Sequence, residues 1–210
     1  MEARELLDSN FTDMEKELVV SNNQTCRDIA HVFNDEVEHF NTLLLSFKDY
    51  YGSITREEID VVTEDLKEKF KKVEVMLVDD YQERFEKNRY LLSTLMHDFY
   101  LKDLDAQSKM PTEKLNKYLN EICRFDFFLI EDKIENDIMD FKDNFDYRYI
   151  NNDDARVDFD HLMKNVEHTL ICNLKRVIGN AVDDKQDIVS RYNTQAKEII
   201  KNNRHNNFGK

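Results

Sequence analysis

The chain has 210 residues, with 30 Lys and Arg against 44 Asp and Glu and a formal net charge of -14. That balance argues against nucleic acid and anionic lipid as general partners, because both reward clustered basic residues. Only 3 Gly and 1 Pro are present, against an average usage of about 7% and about 5%, so residues that build turns are nearly missing and the elements must be few and long.

Apolar residues recur at helical spacing through Phe11, Met14, Leu18, Ile29, Phe33, Val37, Phe40, Leu44, Phe47 and Tyr51, which predicts a first helix over roughly 3–51. Its weak point is Ser21-Asn22-Asn23-Gln24-Thr25, where short polar side chains compete for backbone hydrogen bonds and could divide the helix in two. Gly52 then suits a turn, and Thr55-Arg56-Glu57-Glu58 reads as a capping box flanked by Ile54 and Ile59 as a hydrophobic staple.

A second helix over 56–105 carries Ile59, Val62, Leu66, Phe70, Val73, Leu77, Tyr81, Phe85, Leu92, Leu95 and Phe99, with one longer gap at Asn88. The pattern fades between Asp103 and Met110, and Pro111 fits a first helical turn, where its missing N–H costs nothing. A third helix is expected over 111–150, with Leu115, Leu119, Ile122, Leu129, Ile134, Ile138, Phe141, Phe145 and Tyr149 on its stripe. Asn151-Asn152-Asp153-Asp154 favours a cap, and a fourth helix over 154–203 follows, with residues 204–210 as a disordered tail.

Short connections return each helix alongside the last. The expected fold is therefore all-α: a single elongated antiparallel bundle over 1–203, of about four long amphipathic helices with coiled-coil-like packing. Helices of this size would be rods of about 60 to 75 Å.

The termini and cysteines bound the setting. Residues 1–8 lack the basic and apolar regions of a signal peptide, and no run of about 18 apolar residues exists, so the expectation is a cytoplasmic protein with membrane association disfavoured. The sequons Asn10-Phe11-Thr12 and Asn23-Gln24-Thr25 would matter only if a leader had been removed. Cys26, Cys123 and Cys172 are widely spaced and form no Cys-x-x-Cys pair, which points to reduced thiols rather than a disulfide framework or a zinc knuckle.

Chemistry-bearing motifs are few. The chain has no Gly-rich phosphate loop, no Gly-x-Ser-x-Gly elbow and no His-Glu-x-x-His, and the Asp-rich stretch from Asp137 to Asp160 lacks the spacing of a calcium loop. One ligand-like set remains: Glu36 and His39 on the first helix, facing Asp158, His161, His168 and Cys172 on the fourth. A di-iron carboxylate bundle needs two Glu-x-x-His motifs and two further glutamates, so edge-of-core histidines are the simpler reading and no cofactor is expected.

A different signal is the surplus of apolar residues in Phe125-Asp126-Phe127-Phe128-Leu129-Ile130. On a continuous helix Phe127 and Phe128 would point about 200° and about 300° around from Phe125, so one stripe cannot hold all three rings. These rings are the candidate interaction residues. The expected function is a non-enzymatic scaffold or adaptor that binds a protein partner or a second copy. A BAR-like membrane-shaping module is the alternative, with Lys67, Lys69, Lys71 and Lys72 as its only basic cluster, and a metal-binding bundle the second.

Overall fold

The computed structural model describes residues 2–52, 54–105, 110–150 and 153–208. It is 94% helical, with no strand among the described residues. Five helices follow in order: α1 (Ala3–Tyr51), α2 (Arg56–Asp105), α3 (Thr112–Ile122), α4 (Phe127–Tyr149) and α5 (Asp153–Phe208). The chain is an all-α helical bundle.

The reversal between α1 and α2 is built as the sequence reads. Gly52 has φ +64, a left-handed conformation that side chains disfavour, and its N–H donates to Lys48 O at 2.7 Å. The Thr55 N–H donates to Glu58 Oε2 at 2.8 Å, while the Glu58 N–H donates back to Thr55 Oγ1 at 3.3 Å, so two donors at the start of α2 are satisfied reciprocally. The Thr55 N–H and, after it, the Thr55 hydroxyl, both donating to Glu58 Oε2, hold the Glu58 carboxyl below its usual range. Ile54 and Ile59 are both buried beside the turn.

Contacts within the bundle divide into two compact units. The first takes residues 1–25 from α1, 80–125 from α2 and α3, and 178–210 from α5; the second takes 26–79 and 126–177. In the first, Phe11 stacks on Tyr100 and Asn22 bonds Gln82, so α1 and α2 run antiparallel, and Asn10 and Glu17 reach Tyr192 and Arg191 on an antiparallel α5. Its core gathers Leu7, Met14, Leu18, Leu92, Met96, Ile122 and Ala196. Leu92, Met96 and Tyr100 carry the α2 stripe here, with Leu95 and Phe99 only half buried.

In the second unit, Phe33 meets Phe70 across α1 and α2, and Phe145 stacks on Phe159 across α4 and α5 at 4.0 Å between centroids. Phe40 and Phe47 on α1 meet Phe141 and Phe145 on α4, which makes those two helices parallel, as in an up-down four-helix arrangement. Phenylalanine rings join aliphatic side chains in this core, in both edge-to-face and stacked contacts.

The helix expected over 3–51 is found whole, and two other expectations change. The polar stretch 21–25 does not interrupt α1: Thr25 Oγ1 donates to Ser21 O at 3.0 Å and Asn22 Nδ2 to Gln82 Oε1 at 2.6 Å, so these two side chains find partners without the backbone leaving the helix. The third predicted helix is two. Cys123, with φ -107 and ψ -2, closes α3 in a tightened turn, and Asp126 opens α4 by accepting from the Leu129 N–H at 3.5 Å. Residues 204–208 continue α5, anchored by Arg204 Nη2 on Asp103 O and Oδ1 at 2.9 and 3.0 Å. The cap signal at Asn151-Asn152 lies outside the described residues, and α5 begins at Asp153.

Thr55→Ala should cost about 1 kcal/mol, because it removes the oxygen that satisfies the Glu58 N–H. A thermal melt matching the parent would show that Thr55 does not cap α2.

Candidate functional site

α4 buries Ile130, Ile134, Ile138, Phe141 and Phe145 on one side, which fixes what its other side presents. Phe128 is 77% exposed and the adjacent Leu129 59%. Met139 stands eleven residues after Phe128, about three full turns, so the two project on the same side, and Met139 is 52% exposed. Between them, Asp132 and Glu135 are also exposed. The outward face of α4 therefore reads apolar, acidic, apolar.

The three candidate rings have different fates. Phe125 stacks on Tyr81 at 4.3 Å within the first unit. Phe127 belongs to the second, half buried, with Lys175 Nζ 5.7 Å from its ring centroid, and the neighbouring Glu131 pairs with the same lysine. Phe128 alone points into solvent. The angles counted from Phe125 do not apply, because Phe125 precedes the Asp126 cap and lies outside α4.

The ligand-like set stays in separate pairs. Glu36 Oε1 lies 2.9 Å from His39 Nδ1, and His168 Nε2 lies 3.5 Å from Cys172 Sγ, each pair on a single helix. Asp158 is engaged instead by the Tyr51 hydroxyl, which donates to Oδ2 and whose own pKa is pushed up to about 12 by that hydrogen bond. His161 is exposed. Among the described residues no group of three or more His, Cys, Asp or Glu is placed to hold a metal ion. Burial raises the Cys123 thiol to about 11, which leaves it protonated and a poor nucleophile at neutral pH.

Two features had no counterpart in the sequence reading. Lys185 is 0% exposed in the first unit, with Nζ 3.4 Å from Thr25 Oγ1 and 5.2 and 5.8 Å from the Tyr81 and Phe85 ring centroids. Spacing cannot announce it, since a lysine in an acidic helix reads as surface. A cavity of about 360 Å³ also lies in the first unit, lined by Asp103, Lys197, Ile200, Lys201, Arg204 and His205.

Glu36 gives a pH signature. Burial raises its carboxyl above the usual range, against the lowering effect of His39. A folded-state pKa above the unfolded one means that the folded protein holds the proton more tightly, so ionised Glu36 detracts from stability once pH exceeds that raised value. Glu36→Gln should then melt higher than the parent at pH 7, with the gain shrinking as pH falls through the raised value and gone once pH is below the ordinary carboxylate value. A Gln variant that melts lower at pH 7 would contradict the burial effect.

No protein-family model matches the chain and no curated protein matches it, so the functional reading rests on this geometry.

Proposed function

We propose that the chain is a non-enzymatic protein-interaction module, a helical scaffold or adaptor, which docks a protein partner on the outward face of α4. The exposure of Phe128 at 77%, next to Leu129 at 59%, is the observation that carries this reading. Isolated exposed apolar residues are ordinary on a protein surface. Two adjacent ones at a helix start, with Phe128 aligned with Met139 across an acidic band, make a patterned surface of the kind that a partner helix can cover.

The chemistry of that partner follows from the pattern. Apolar side chains about three turns apart would cover Phe128 and Met139, and basic residues between them would meet Asp132 and Glu135. A bilayer of anionic lipid fits poorly, since the same carboxylates would repel it. Among the described residues no helix is long and apolar enough to cross a membrane.

A synthetic amphipathic helix with lysines between apolar positions eleven residues apart serves as the probe. It should bind the parent in fluorescence anisotropy, and Phe128→Ser should weaken it about 30-fold, the equivalent of roughly 2 kcal/mol for one buried ring. The melt of that variant should be unchanged, because the ring is exposed in the free protein. Sedimentation of the parent shows whether a second copy takes the probe's place. A variant that binds the probe as tightly as the parent, with self-association also unaltered, would remove α4 as the docking face.

A further inference from the structure

The charge of α5 changes sign near its end. After Asp187 the only acidic residue is Glu198, against Arg191, Lys197, Lys201, Arg204 and Lys210. Lys197, Lys201 and His205 follow at intervals of four and share one helix face, with Arg204 beside them, and all four line the cavity of about 360 Å³ in the first unit. Buried Ile200 forms part of its wall, and Asp103 closes it from α2.

Partner accounting gives this cluster its meaning. In a chain with 44 acidic residues, bases normally find carboxylates nearby. Asp103 is committed to Arg204, which donates to it through Nη2 alone and keeps its Nε and Nη1 donors outside that contact. Among the described residues, Lys197, Lys201 and His205 have no hydrogen-bond or ion-pair partner. The helix dipole favours cations only in the last turn. α5 ends at Phe208, so Lys197 and Lys201 lie upstream of that turn.

We propose that this cavity binds a phosphate group, with Lys197 and Lys201 as its charged donors and Arg204, held in place by Asp103, as the oriented one. A phosphate monoester carries close to two negative charges and three acceptor oxygens, more than a carboxylate can offer to several converging cations. The apolar wall at Ile200 leaves room for the group that bears the phosphate. The site is separate from α4 and does not depend on the docking function.

Inorganic pyrophosphate titrated by calorimetry, with chloride matched for ionic strength, is the direct probe. Saturable binding is expected, weakened at least tenfold in Lys197→Gln with Lys201→Gln; both lysines are exposed, so helix content should not change. Phosphatidylcholine vesicles with and without a phosphoinositide separate the two sources of phosphate. Capture that needs the phosphoinositide and is lost in the double variant identifies a lipid headgroup, whereas pyrophosphate binding without capture identifies a soluble ligand. Absence of pyrophosphate binding, or binding equally tight in the double variant, would overturn the proposal.

Discussion

The reversal at Gly52 to Glu58 is the constraint on which the second unit depends. Each long helix has an apolar stripe that is unstable in water and must be covered by another helix. With so few residues in the turn, α2 can only come back along α1, and the staple of Ile54 and Ile59 starts the burial at once. Phe33 then meets Phe70, and α4 and α5 close the remaining sides through Phe40, Phe141, Phe145 and Phe159. The face of α4 left in solvent is a consequence: once Ile130, Ile134 and Ile138 turn inward, Phe128 must turn outward.

The first unit is ordered by a different principle. Its core includes polar groups: Asn22 bonds Gln82, and the Lys185 ammonium sits by Thr25 and two aromatic rings. Burying an ammonium group is costly unless hydrogen bonds and ring faces compensate. Removing Thr25 or the facing rings would leave the ammonium buried without that compensation. The same unit carries Lys197, Lys201, Arg204 and His205 of α5 around one cavity.

Much of the helical architecture was legible because it rests on periodicity and on local turn chemistry, as at Gly52 and Thr55. The break at Cys123 to Asp126 was not, because the apolar run from Phe125 to Ile130 continues a helical pattern and masks one capping aspartate. The helix over 3–51 was legible from its stripe although local propensity marks a weak point at Ser21 to Thr25, where a hydroxyl bond four residues back and a partner on α2 hold the chain in the helix. Sequence placed His39 and His168 on facing helices, but that does not fix the direction of a side chain, and each bonds a neighbour on its own helix. Nor was the division into two units visible, because α1, α2 and α5 pass from one to the other without punctuation.

The different fates of Phe125 and Phe128 follow from ending one helix at Ile122 and restarting another at Phe127, so the backbone of that segment is the point to measure. Hydrogen exchange resolved to single amides reports it directly, since helical amides in packed elements exchange slowly and interrupted ones do not. Strong protection is expected across residues 130–145 and through the polar stretch 21–25, with fast exchange confined to the segment around Phe125 and Asp126. Uniform protection from 115 to 145 would mean one continuous helix, with Phe125, Phe127 and Phe128 on a single screw, and would contradict this description of the α4 surface.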